Sequence, residues 1–301
     1  MSGQGFADRL LEAIEIKRSH VVVGFDPDYD LLPSEVRGAH PRDAYQSDQE
    51  MVVACFGDFL KAVLDGVCAE VVAVKMQCAY FEALGARGYG LYEELVGPVR
   101  DRGCLVVGDV KRGDIGSTAE AYARAHLEVA GVDAVTVNPY LGSDSVEPFV
   151  RRAKEAGKGV FVLVKTSNPS SVDIQDVGLA SGGPLYERVA DLVTRWGQGT
   201  EGGRGYRSVG AVVGGTHPRQ GEELRARMPG VPLLIPGYGA QGAQAEDLKG
   251  MFDDNGTGAV VNSSRAILYA YRKYPDMHWL DACRREAREM KDALWKAAGR
   301  G

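Results

Sequence analysis

What the 301 residues lack narrows the field first. No apolar run approaches the ~18 residues a membrane-spanning helix needs. Cysteine is scarce: Cys55, Cys68, Cys78, Cys104 and Cys283 are odd in number and show no CxxC spacing. That pattern excludes a disulfide framework and a zinc ribbon, and fits reduced thiols in a cytoplasm. HxH and HExxH spacings are missing too, so neither a metal nor another cofactor is expected. There is no run of Lys and Arg, and a net charge of −6 argues against nucleic acid or an anionic membrane as partner. The N-terminal MSGQGFADRLLEAIEIKRSH has scattered charges and no apolar h-region. It reads as an amphipathic helix rather than a signal peptide, and the expected compartment is cytoplasmic. No Gly/Ser or Pro linker, repeat or low-complexity tract divides the chain, so residues 1–301 are expected to form one domain.

What is present centres on Val106 to Thr118, VVGDVKRGDIGST. Residues two apart on a strand share a face, so Asp109 and Lys111 project together from the carboxyl end of an apolar strand. Gly113 lets the chain turn, and Asp114 follows on the turn. Ser117 and Glu120 stand in the order of a capping box, which predicts a helix start there. Such charge clusters are ordinarily solvated and worth little. This one closes a buried strand, where α/β folds build their active sites.

Short β-branched runs recur at His20–Asp26, Val71–Gln77, Cys104–Val107, Asp133–Pro139, Gly159–Ser171, Ser208–Thr216, Val231–Gly237 and within Gly256–Arg265. Helical spacing fills most of the intervals, as in Gln46–Cys68 with its apolar face of Val52, Phe56, Phe59, Leu60 and Val63. Asp28–Ser47 reads as a long loop, Thr216 as a helix cap before Pro218, and Ala266–Lys296 as a closing helical region. Alternating strands and helices mean a parallel sheet, and eight such units in this length mean a single (β/α)8 TIM barrel with an N-terminal helix and long loop insertions. A doubly wound Rossmann sheet would require a glycine fingerprint after the first strand, which instead reads GFDPD.

In such a barrel the working residues follow the strands, and polar residues stand there: Asp26, Lys75, Asp109 with Lys111, Asn138, Lys165 with Ser167, Gln241 and Arg265. Taken singly, Lys165, Asn138 and His217 read as hydrogen-bonding caps of loops. The glycine-rich PGYGAQG (Pro236–Gly242) and NSSR (Asn262–Arg265) follow the last two strands, each leading towards a helix. A barrel's phosphate site usually lies there, where backbone N–H groups face the anion.

The segments GFDPD, VAVKMQ, GDVKRGDIGST, VNPYLG, VKTSNPSS, IPGYGAQG and NSSRAI, in this order, resemble the orotidine 5′-phosphate decarboxylase family along nearly the whole chain. The long 28–47 and 170–205 segments resemble its longer bacterial branch, while NSSR departs from the Gly-Arg-Ser-type turn of many relatives. The resemblance implies decarboxylation of orotidine 5′-phosphate to UMP without a cofactor. It implies a charge network of Lys75, Asp109, Lys111 and Asp114, with Lys111 as proton donor. Asp26 is then expected at the ribose, Ser167 at the pyrimidine, and Gln241 and Arg265 at the phosphate. Asn138, Pro236 and Ser264 complete the expected substrate contacts. Asp114 and Thr118 are expected to reach the neighbouring subunit's site in a homodimer. Three other readings stay open on the residues alone. One is a Schiff-base aldolase using Lys75, Lys111 or Lys165. The others are a Mg2+-dependent sugar-phosphate enzyme and a non-catalytic nucleotide-binding protein.

Overall fold

The computed structural model describes residues 4–239 and 242–301. Eight parallel strands close into a barrel in chain order: β1 (Val21–Phe25), β2 (Ala73–Gln77), β3 (Leu105–Arg112), β4 (Ala134–Val137), β5 (Gly159–Lys165), β6 (Val209–Val213), β7 (Leu233–Ile235) and β8 (Ala259–Ser263), with β8 pairing back onto β1. These runs are apolar at nearly every position because both faces are covered, the inner by the barrel and the outer by helices.

Alternation sorts the residues. Val22, Ala73, Leu105, Val107, Ala134 and Phe161 point inward and pack with Val212, Leu234 and Val260 in the lower barrel. The helix Phe6–Lys17 closes the floor of that interior with Phe6, Leu10, Leu11 and Ile14, so the amphipathic N-terminus is a plug. Phe6 meets Phe161 edge to face at 5.8 Å, an arrangement that the aromatic quadrupoles favour. Gly159 makes the contact possible, because a Cβ there would lie inside the Phe6 ring. Residues of opposite parity, such as Val23, Val74, Val106 and Val135, face the surrounding helices, where Phe59, Leu60 and Val63 of Asp48–Val67 meet them.

The structure departs from the sequence reading where local signals compete with tertiary partners. Asp28–Ser47 contains three helical pieces, Tyr29–Leu31, Ser34–Gly38 and Arg42–Ala44, each too short to show a helical period. The helix after β3 begins at Gly116, with no side-chain cap, so Ser117 already lies inside it and the capping box does not form. Glu120 is instead held by Arg152 of the next helix at 2.9 Å. Nor does Thr216 cap the helix Pro218–Arg227; its hydroxyl donates to the Ser167 carbonyl at 3.1 Å, tying the loops after β5 and β6 together. β5 stops at Lys165, and the closing region is broken into Arg265–Leu268, Ala270–Arg272 and Trp279–Ala297, with Pro275 in the break. Among the described residues no helix is long and apolar enough to cross a membrane.

The floor helix is expected to carry stability rather than chemistry. Phe6→Ala removes a fully buried ring and should cost about 3–5 kcal/mol in equilibrium urea unfolding. A loss near zero would mean that the helix is not part of the core.

Candidate active site

Above the apolar layers the inward positions change character. The next inner residues of β2, β3, β4 and β8 are Lys75, Asp109, Thr136 and Asn262, all lining one cleft of about 370 Å³ at the carboxyl mouth of the barrel. Lys75 is 4% exposed and Asp109 6%, so a full ion pair stands in the protein interior. Asp109 is saturated: Oδ2 accepts from Lys75 Nζ at 2.7 Å and Gln77 Nε2 at 3.0 Å, and Oδ1 accepts from Lys111 Nζ at 2.5 Å and Thr136 Oγ1 at 2.9 Å. An ionised carboxylate offers about four acceptor sites, and all are taken. Burial alone would raise the Asp109 pKa, but the charges and hydrogen bonds of Lys75 and Lys111 outweigh it and hold the carboxyl well below its usual range. Lys75 answers in kind: burial favours its neutral form, yet Asp109 and Asp26 raise its pKa and keep it an ammonium.

Lys111 reaches this array through irregular backbone. It has φ 45°, the left-handed region that costs a residue with a Cβ. The pairing of β3 with β4 slips there: Gly108 lies opposite Val135, but Arg112 lies opposite Val137. Four steps along β3 thus match two along β4, a bulge that re-aims the side chains within it. Arg112 leaves in another direction, pairing with Glu82 and lying over the Tyr122 ring at 5.3 Å.

Asp26, Ser167, Pro236, Ser264 and Arg265 all line the same cleft as Lys75, Asp109 and Lys111. Asp26 Oδ1 is buried without a hydrogen bond, 3.7 Å from Lys75 Nζ, and Asn262 Oδ1 is likewise unpartnered. Gly24 is needed for Ser264, whose side chain would collide with a Cβ at that position. Arg265 has no ion-pair partner among the described residues. Three expected residues are not in this chain's own cleft. Asp114 sits beyond the end of β3 and accepts from the Ile115 N–H at 2.8 Å, Thr118 is exposed on the following helix, and Asn138 closes a turn by accepting from Tyr140 N–H at 3.1 Å. Lys165 also leaves, because a bulge between Leu163 and Lys165 breaks the alternation. It is fully buried outside the cleft, bonded to both Asp176 oxygens at 2.9 Å and to Ser171 at 3.0 Å. Gln241 lies outside the described residues. Among the described residues the next helical turn after β7 is the 3-10 segment Glu246–Met251.

A family model described as orotidine 5′-phosphate decarboxylase / HUMPS family matches residues 20–274. Proteins named orotidine 5′-phosphate decarboxylase are similar over nearly their whole length. That of Rhodopirellula baltica is 41% identical, covering 96% of this chain and 98% of the relative. That of Clostridium perfringens is 38% identical, with 97% and 98% covered. The chain belongs to the orotidine 5′-phosphate decarboxylase / HUMPS family. The solved OMP decarboxylase of Leishmania donovani superposes with a TM-score of 0.76 at 30% identity, covering 98% of this chain and 99% of that one.

Placing the family's motifs on the barrel exposes residues that the sequence reading passed over. Gln77 stands two positions beyond Lys75 and shares its face, a signal that parity alone supplied. Thr136 looked like an ordinary strand residue and Asn262 like the start of the turn after the last strand; both lie within strands, and the closed barrel turns them towards Asp109 and the cleft. Thr166 and Asn168 line the rim too: Gln175 Oε1 accepts from the Thr166 N–H at 2.9 Å, and the Thr166 hydroxyl donates to Asn168 Oδ1 at 2.7 Å. Among the described residues no group of three or more His, Cys, Asp or Glu side chains is placed to hold a metal ion.

So much buried charge should weaken folding in favour of function. Lys75→Met strips a partner from Asp109 and is expected to cost about 3 kcal/mol or more of stability. The double variant Lys75→Met/Asp109→Leu should recover most of that in urea unfolding while remaining inactive. A double variant less stable than the single one would show that the charges hold the barrel together.

Proposed function

We propose that this chain decarboxylates orotidine 5′-phosphate to UMP and CO2, the last step of UMP biosynthesis. The observation that carries the reading is the buried Lys75–Asp109 pair, capped by the solvent-facing Lys111, at the mouth of a barrel whose full-length relatives bear that activity as their name. Loss of CO2 from C6 leaves an electron pair on the ring with no conventional sink. The protein must meet that charge with groups already oriented. Lys111 is the proton donor: its ammonium stabilises the forming C6 carbanion and then protonates it. Asp109, kept ionised by its neighbours, stands beside the departing carboxylate and disfavours the charged ground state.

The rest of the cleft suits the rest of the nucleotide. Chain order puts β3 and β7 on opposite sides of the barrel, so the charge array faces the phosphate end across the mouth. Arg265 offers a bidentate contact to the phosphate, with Gln241 as the second expected donor. Asp26 and Asn262 present buried acceptors that a ribose hydroxyl would satisfy. Ser167 meets the pyrimidine from the loop after β5, and Pro236 and Ser264 line the cleft beside the phosphate. Remote phosphate binding then contributes to transition-state stabilisation. The aldolase reading is weaker, since Lys75 is held as an ammonium and Lys165 lies outside the cleft. The Mg2+ reading meets an Asp109 whose acceptor sites are already filled by protein donors. Five unpaired cysteines agree with a cytoplasmic location.

The proposal includes a two-fold homodimer, with Asp114 and Thr118 of each subunit completing the other's site. Around them Ile115 is 52% exposed and Tyr140 78%, an apolar rim that a second copy would cover.

Purified protein should remove the orotate absorbance from orotidine 5′-phosphate in EDTA, with no lysine adduct trapped by borohydride. Strict need for Mg2+, or a trapped adduct, would hand the site to one of the sugar-phosphate readings. For the dimer, inactive Lys111→Ala and Asp114→Ala proteins are mixed and allowed to exchange. Half the dimers are then mixed and each has one intact site, so roughly a quarter of wild-type activity should return. No recovery despite proven exchange would show that each site uses its own Asp114.

A further inference from the structure

We propose that Thr136 is a positioning residue for Lys111, one hydroxyl holding both the irregular backbone of the proton donor and the carboxylate against which its ammonium rests. The proposal builds on the reading of Lys111 as proton donor. Thr136 is 1% exposed, in a strand whose other residues are Ala134, Val135 and Val137. Its hydroxyl is therefore the one polar side chain of β4, and it is fully engaged. Oγ1 accepts from the Lys111 backbone N–H at 2.9 Å and donates to Asp109 Oδ1 at 2.9 Å. The directions are forced. An amide N–H can only donate and an ionised carboxylate can only accept, so the single hydroxyl proton must point at Asp109.

The bulge explains why such a clip is needed. Between the pairs Gly108–Val135 and Arg112–Val137, Thr136 is the only β4 residue facing Asp109, Val110 and Lys111. The Lys111 N–H therefore bonds to this side chain instead of a strand carbonyl. Lys111 also sits at φ 45°, a conformation that persists in a residue with a Cβ only when its surroundings impose it. Without the hydroxyl the N–H becomes an orphan, and the backbone is free to relax towards ordinary strand geometry. The ammonium would then swing away from Asp109 Oδ1, 2.5 Å away, and from the reacting carbon above it. Substrate contacts at the opposite rim would be untouched.

The test compares Thr136→Val, which keeps the branched shape and loses the hydroxyl, with Thr136→Ser, which keeps the hydroxyl. Thr136→Val should bind UMP like the wild type and melt cooperatively, yet lose roughly 10- to 100-fold in kcat, the scale of a misplaced catalytic group. Thr136→Ser should recover most of that kcat. Unchanged kcat in Thr136→Val, equal losses of kcat and UMP affinity, or a serine variant no better than valine would each overturn the proposal. If Thr136→Val does not fold, Thr136→Ala takes its place against Thr136→Ser, with the same outcomes. Lys111→Met is measured alongside. An inactive Lys111→Met beside a fully active Thr136→Val removes the clip alone, whereas an active Lys111→Met removes the reading beneath it and the clip together.

Discussion

The interior carboxylate of Asp109 is the constraint around which the barrel mouth is arranged. A bare ion at that depth would cost several kcal/mol even after relaxation, so it exists only because four donors converge on it. Those donors come from three adjacent strands: Lys75 and Gln77 from β2, Lys111 from β3 itself, and Thr136 from β4. Each strand must hold its register for the array to close. The apolar layers beneath, sealed by Phe6 and its neighbours, supply the stability that the charged layer does not.

Two bulges show how finely the same backbone decides function. In β3 the slip between Gly108 and Arg112 accompanies a left-handed Lys111 and brings its ammonium onto Asp109. In β5 the slip between Leu163 and Lys165 turns another strand-end lysine outward, where Asp176, Ser171 and the Tyr186 ring take it up. Lys111 is the next-to-last residue of β3 and Lys165 the last of β5, yet one enters the cleft while the other becomes a buried strut. Residue type is the same and both stand near a strand's carboxyl end; local register separates them.

Legibility in the sequence followed the range of the physics. The eight strands, the floor helix and the shared inner face of Ala73 with Lys75 and Val107 with Asp109 rest on periodicities of two and 3.6, which the chain displays directly. The bulge and the left-handed backbone at Lys111, by contrast, deliver the pairing with Asp109 that alternation predicts. Caps and turns were less readable. Ser117 and Thr216 have the right chemistry for helix caps, but the helix at Gly116 starts two residues too early for the first, and a carbonyl from another loop claims the second. Asn138 stands at a strand end like its neighbours, yet it bonds within its own turn because Val137 is the last residue of β4.

By itself, then, the order of residues determined the barrel, the face on which Asp109, Lys75 and Asp26 would meet, and the family. These follow from alternation and motif, both of which are local. Only the closed tertiary structure decided that Lys165 and Asn138 leave the cleft, and that Gln77 and Thr136 complete the donors to Asp109. Those outcomes depend on strand register and on which side chain across the barrel fills a given lone pair. Neither is set until distant segments are brought within 3 Å of one another, a distance at which hydrogen bonds select single partners.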